Sequence, residues 1–148
     1  MNRFVIEGQR TISGAIEPRG SKNAALPAIA ATLLTDEPVV LRRLPGIADV
    51  DVMVQLAHDL GSEISLNGDH SARLRAKDLV HCEPNRALCR SIRALFLLAG
   101  PLLARCGRAV LPRPGGDKIG RRPLDTHVEA FQQMGVEVEL SPDSYYLA

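Results

Sequence analysis

The residues with the most chemistry in this sequence stand together between Pro112 and His127, in the stretch PRPGGDKIGRRPLDTH. Pro114, Gly115 and Gly116 make a turn that neither helix nor strand tolerates, so the stretch reads as a loop with its side chains presented outward. Asp117 falls at the tip, among the cations Lys118, Arg121 and Arg122, with Asp125 and His127 following where a helical pattern begins. A glycine-rich polar loop is by itself only a solvated connection. Here, however, guanidinium forks match phosphate and carboxylate geometry, and a helix start just after the second arginine favours anions as well. The combination predicts a polyanion site, built for phosphate, with one acid in it.

Such a loop needs elements to hold it. Phe4 to Glu7 and Ile12 to Ile16 read as short strands, closed by the breaker Pro18-Arg19-Gly20. Gly20-Ser21-Lys22-Asn23 then leads into the apolar helix AALPAIAATLL. Ser21 or Asn23 caps it, Pro27 is expected in its first turn, and Lys22 and Asn23 face out from the helix start. Asp36-Glu37-Pro38 ends the helix, Val39 to Leu41 form a strand, and Asp49 to Leu60 carry apolar residues at helical spacing, stopped by Gly61. Ile64 and Leu66 alternate with polar residues, Asn67-Gly68 makes a hairpin turn, and Leu74 lies on the returning strand.

The second half reads the same way. A long apolar helix is expected from Arg86 to Ala104, then a strand at Ala109 to Leu111, the glycine loop, a helix from Asp125 to Met134, and a strand through Val136, Val138 and Leu140. Asp51 and Asp125, Gly61 and Gly135, Ile64 and Val138, and Leu66 and Leu140 are each separated by 74 positions. Four coincidences at one offset indicate an internal repeat. The fold class is therefore α/β, made of repeated helix-strand-helix-strand-strand units packed around a pseudo-symmetric core. Residues 19–78 make the first unit, and 79–148 the second with its cationic loop.

Composition narrows the partners. The chain has 148 residues, enough for about one domain with a real core, and 45% hydrophobic content is ordinary for a globular protein. A net charge of +1 and the absence of Trp leave no platform for stacking bases, so nucleic acid is not an expected partner. Cys82, Cys89 and Cys106 are an odd number without a CxxC pair, which argues against a disulfide framework or structural zinc and for a reducing cytoplasm. The longest apolar run, Ala94 to Ala104, is interrupted by Gly100 and Pro101 and is too short to span a bilayer. A soluble chain without membrane attachment is expected.

Three segments in order, GSKNAALPA, RSIRALFLLAGPLLAR and PGGDKIGRRPLDTHVEAFQQMG, resemble the N-terminal part of the UDP-N-acetylglucosamine enolpyruvyl transferases, which open peptidoglycan synthesis. The shikimate-pathway enolpyruvyl transferases share the fold but differ after the Ser-Lys pair. The resemblance implies an inside-out α/β barrel of two domains with a cleft between them, present here incompletely. It also implies that residues 1–18 are strands of the C-terminal domain, so self-association through their unpaired edges is expected.

The resemblance carries roles onto particular positions. Lys22 and Asn23 match substrate contacts, Arg93 matches a residue that touches the nucleotide sugar, and Arg122, Pro123, Leu124, Asp125 and Thr126 match the stretch that holds the UDP moiety. Thr126 departs from the residue expected there. Asp117 stands where most members have a cysteine, the general acid on a mobile loop that protonates the enol methylene carbon, and some members carry aspartate. Three nearby cations would hold a carboxyl's pKa down, so a bound polyanion must neutralise them before Asp117 can donate.

The implied reaction is addition and elimination between phosphoenolpyruvate and the 3-hydroxyl of UDP-N-acetylglucosamine. It requires no metal or organic cofactor. Two alternatives stand beside it: a non-catalytic nucleotide-sugar-binding fragment, and the shikimate-pathway activity. An aspartate at position 117 further implies resistance to fosfomycin, whose epoxide the cysteine thiolate opens.

Overall fold

Two units with one plan are joined end to end, and the computed structural model describes residues 3–9, 11–115, 120 and 123–148 of them. The first unit comprises α1 (Lys22–Ala31), which runs into a 3-10 turn (Thr32–Leu34), then β1 (Val39–Leu41), α2 (Ala48–Asp59), β2 (Glu63–Asn67) and β3 (Ser71–Arg75). The second comprises α3 (Arg86–Cys89), a 3-10 turn (Ala94–Leu98), α4 (Ala99–Cys106), β4 (Ala109–Pro112), α5 (Asp125–Gln133), β5 (Val138–Leu140) and β6 (Ser144–Leu147). Each unit has a three-stranded antiparallel sheet with its last strand in the middle, in the orders β1-β3-β2 and β4-β6-β5. The repeat inferred from the 74-residue offset is thus a repeat of structure. Asp51 and Asp125 fall in the first turns of α2 and α5, where an acid suits the helix dipole. Gly61 and Gly135 follow those helices at φ 114° and 90°. At Gly61 a side chain is excluded twice over, since a Cβ would also stand 2.7 Å from the Asp78 carbonyl oxygen.

Ile29, Leu33, Met53, Leu56, Leu60 and Leu74 from the first unit and Ile92, Leu95, Leu98, Leu102, Leu111 and Leu147 from the second are fully buried in one contiguous cluster. Such side chains each contribute roughly 1.5–3 kcal/mol by burial, so the shared core is what holds the units together. Arg105 at the end of α4 adds polar fastening. Its guanidinium donates to the Leu33 carbonyl at 3.0 Å, the Ala76 carbonyl at 3.0 Å and the Lys77 carbonyl at 2.9 Å, all in the first unit.

Several expectations are corrected. The long helix from Arg86 to Ala104 is broken: Asn85 caps α3 through the Ala87 and Leu88 amides, and the Ser91 hydroxyl takes up the Leu88 carbonyl at 2.7 Å, ending the helix after one turn. The α-helix resumes only at Ala99, which puts Pro101 in the first turn, where its missing N–H is harmless. Pro27 is not in the first turn of α1 but at its sixth residue, so it cannot donate to the Asn23 carbonyl. Ser21 occupies the N-cap of α1 with extended backbone, yet its side chain makes no capping hydrogen bond. The β2–β3 hairpin turns one residue later than expected: Asn67 pairs with Ser71, and the loop is Gly68-Asp69-His70, with His70 at φ 61°. Ser71 donates to the Asp69 carboxylate from its hydroxyl at 2.6 Å and its amide at 3.1 Å, and these bonds hold that carboxyl below its ordinary range.

No strand forms among the described residues 3–9 and 11–18. Phe4, Ile12 and Ile16 are 90%, 95% and 93% exposed, and with no neighbouring strand to take their N–H and C=O groups these residues gain nothing by adopting strand geometry. Among the described residues, no helix is long and apolar enough to cross a membrane.

Candidate functional site

The site forms where the second unit departs most from the first. α2 buries Val50, Met53, Leu56 and Ala57, whereas α5 has no fully buried residue and is propped at its face by aromatic rings. The Phe96 ring lies 5.7 Å from His127, 6.3 Å from Phe131 and 5.4 Å, edge-on, from Tyr145. Offset and edge-on pairs of this kind each add roughly 0.5–1.5 kcal/mol beyond their burial, which fixes the start of α5 relative to the turn carrying Arg93.

Between them opens a cleft of about 400 Å³, lined by Arg93, Arg113, Pro114, Gly120, Pro123, Leu124, Asp125 and Tyr145. The Leu124 carbonyl accepts from the His127 and Val128 amides at 3.0 Å each and so starts the helix, leaving Pro123 and Leu124 at the cleft mouth. Arg93 is half-buried just before the 3-10 turn. Four residues marked in the sequence, Arg93, Pro123, Leu124 and Asp125, are therefore brought together although thirty positions of chain separate Arg93 from Pro123. Thr126, next along α5, is exposed and outside that lining. Asp117 and Arg122, with Lys118 and Arg121, lie outside the described residues.

The N-terminal arm of the loop is anchored. The Gly115 amide donates to the Cys89 carbonyl at 3.4 Å, and the glycine is packed so tightly on the Arg90 carbonyl that any Cβ would overlap it. Arg113 donates from Nε and Nη2 to the Ser141 carbonyl at 3.2 and 2.9 Å, with its guanidinium 5.5 Å from the centre of the Tyr145 ring. Its charge is thereby held at the cleft wall. The first unit mirrors this contact, with Gly20 pressed on the Arg43 carbonyl and Arg43 at φ 59°.

Lys22 and Asn23 begin α1 and are not part of that lining. The Lys22 ammonium is engaged with Asp49 in the first turn of α2, Nζ to Oδ2 being 2.7 Å, and Asn23 is exposed. Asp49, Arg113 and Tyr145 were not singled out in the sequence. Arg113 lay inside the quoted loop and its type could have marked it; Asp49 and Tyr145 carry no local signal. Among the described residues no group of His, Cys, Asp or Glu could hold a metal ion.

Residues 6–148 match the family described as EPSP synthase (3-phosphoshikimate 1-carboxyvinyltransferase). The chain belongs to this family. Within it, the chain is 48% identical over 136 residues to the UDP-N-acetylglucosamine 1-carboxyvinyltransferase of Bradyrhizobium diazoefficiens, covering 92% of this chain and 32% of that protein. The protein of the same name from Akkermansia muciniphila is 44% identical over 140 residues, 95% of this chain and 32% of its own length. That from Treponema denticola is 43% identical over all 148 residues and 35% of its length. The chain thus spans about a third of the relatives it matches.

Solved structures agree on the fold. The enolpyruvyl transferase NikO from Streptomyces tendae superposes with a TM-score of 0.78 at 23% identity, over 92% of this chain and 30% of that one. EPSP synthase from Acinetobacter baumannii gives 0.65 at 16% identity, over 90% and 32%. The architecture is the enolpyruvyl transferase α/β fold, and this chain is an incomplete part of it.

Proposed function

We propose that this chain is the N-terminal part of an enzyme that transfers the enolpyruvyl group of phosphoenolpyruvate to the 3-hydroxyl of UDP-N-acetylglucosamine, a step of cell-wall precursor synthesis in the cytoplasm. The observation that carries this reading is the juxtaposition of Arg93 with Pro123, Leu124 and Asp125 across one cleft. The names of relatives at 43–48% identity support it over the shikimate-pathway alternative, whose solved representative is 16% identical.

In the proposed reaction the sugar hydroxyl adds to C2 of phosphoenolpyruvate while a proton is delivered to C3, giving a tetrahedral phosphate ketal. Loss of a proton from C3 then expels phosphate and restores the double bond. Asp117 is the proposed acid for the first step. Arg93, Arg122 and the Pro123-Leu124-Asp125-Thr126 stretch hold the nucleotide sugar, and Lys22 and Asn23 contact substrate from the start of α1. Substrate binding would neutralise the cations around Asp117 before the proton moves.

The chain's share of its relatives' length favours a second reading for the chain on its own, a nucleotide-sugar-binding part without turnover. Phosphate release from phosphoenolpyruvate and UDP-N-acetylglucosamine separates them. Release by the purified chain supports catalysis; calorimetric binding without release supports the part; neither, in a protein completed with the relatives' remaining two-thirds, overturns both.

A further inference from the structure

The Arg113 guanidinium is held along one edge and open along another. Its Nε and Nη2 both donate to the Ser141 carbonyl, at 3.2 and 2.9 Å, which fixes the side-on edge, and the group stands 5.5 Å from the centre of the Tyr145 ring. What remains is the end-on pair, one N–H each from Nη1 and Nη2, a fork whose spacing suits two oxygens of a phosphate or carboxylate. Among the described residues nothing accepts from that pair, and no carboxylate forms an ion pair with Arg113. The backbone is fixed as well: the Arg113 amide donates to the Asp143 carbonyl at 2.8 Å, so the residue sits one step beyond β4, beside the β5–β6 turn. The cleft it lines has a second guanidinium, Arg93, against one carboxylate, Asp125.

We propose that Arg113 is a binding residue for the diphosphate of a nucleotide sugar, its end-on fork taking phosphoryl oxygens in the cleft it shares with Arg93. The inference rests on the reading of this cleft as a nucleotide-sugar site. A diphosphate diester is ionised at both phosphoryl groups near neutral pH, so two guanidiniums match it charge for charge. Pro123 and Leu124, in the same lining, offer such a group no charge. Because Ser141 and Tyr145 already hold the guanidinium, little side-chain freedom is left to lose when an anion binds. Lysine could not do the same, since an ammonium has no planar fork with one edge for the Ser141 carbonyl and another for a phosphate.

The test compares the chain with its Arg113→Gln variant, measuring affinity for UDP by calorimetry and for uridine by NMR titration, with urea midpoints to show that both are folded. Arg113→Gln is expected to weaken UDP roughly tenfold, the cost of a charged hydrogen bond, and to leave uridine within about twofold. In the enzyme completed with the relatives' remaining two-thirds, the same substitution is expected to raise KM for UDP-N-acetylglucosamine, with kcat and KM for phosphoenolpyruvate little changed. Phenylglyoxal footprinting of the unsubstituted chain serves if the variant does not fold: UDP is expected to shield Arg113 from modification and uridine is not. Equal losses for UDP and uridine, no loss for either, or Arg113 modified as fast with saturating UDP as without it overturns the proposal and leaves the nucleotide-sugar reading standing. A chain and a completed enzyme that bind no UDP and release no phosphate overturn both.

Discussion

Lys22 Nζ lies 2.7 Å from Asp49 Oδ2, tying the first residue of α1 to the first turn of α2. The two side chains are 42% and 36% exposed, and an ion pair so open to water contributes only about 0–1 kcal/mol. Its use is therefore to set where the ammonium stands. Asp49→Asn is expected to change unfolding free energy by less than about 1 kcal/mol in a urea titration, while weakening ligand binding by more than that. A large loss of stability with unchanged binding would mean that the pair only braces the helices.

Direct contacts should be dearer to lose than this brace. Lys22→Ala and Arg122→Ala are each expected to weaken binding by roughly 1.5–3 kcal/mol, the usual cost of a charged hydrogen bond. Arg42, which is outside the cleft lining, serves as the control. Calorimetry with UDP-N-acetylglucosamine and phosphoenolpyruvate reads all three, and equal losses would point to bulk charge alone.

Gly115 has no room for a side chain against the Arg90 carbonyl, whereas a Cβ on Gly46 would meet nothing within 4 Å. Gly115→Ala must push the loop off the Arg93 segment and is expected to cost about 1–3 kcal/mol, as overpacking does. Gly46→Ala is expected to stay within about 0.5 kcal/mol. Urea midpoints of the two variants decide it, and parity between them would mean the contact at Gly115 yields freely.

Local signals made the units legible and left the cleft half-read. Offsets such as Gly61 to Gly135 and the alternation of Ile64 with Leu66 depend on backbone geometry, and they marked the repeat and most of the helices and strands of the two units, whereas Phe4 to Glu7 and Ile12 to Ile16 form no strand. The run from Arg86 to Ala104 misled because apolar content cannot tell one helix from two fragments, and the hydroxyl of Ser91 decided the break. Arg93, Pro123, Leu124 and Asp125 were marked by resemblance and then found together, but Arg113 and Tyr145 depend on a contact between β4 and β6 that only the paired strands create. Asp49 escaped notice for the same reason, its partner being on another helix.

The exposed N-terminal segment makes a prediction about behaviour in solution. Phe4, Ile6, Ile12 and Ile16 are all at least 88% exposed, and large apolar side chains left in water along one segment favour association. Self-association of the chain is expected, rising with concentration, and Ile12→Lys with Ile16→Lys should abolish it. Sedimentation velocity over a concentration series measures both, and a sharply monomeric unsubstituted chain would count against the assignment of residues 1–18 to a missing partner.

The last prediction turns on oxygen in place of sulfur at position 117. Fosfomycin acts on cysteine-bearing relatives through attack of a thiolate on its epoxide, and thiolate reactivity depends on a soft sulfur with a lowered pKa. The Asp117 carboxylate is a far weaker nucleophile, yet its protonated form can still deliver a proton to carbon. Loss of alkylation is therefore compatible with retained catalysis. Because only the protonated acid donates, activity in the completed enzyme is expected to lean toward acidic pH. Asp117→Cys should move the optimum upward and bring fosfomycin sensitivity with it. Intact mass after incubation with the drug is the deciding measurement: one adduct on the Asp117→Cys protein and none on the unsubstituted one is expected, and a stoichiometric adduct on the latter would refute the reading of Asp117 as a fosfomycin-insensitive acid.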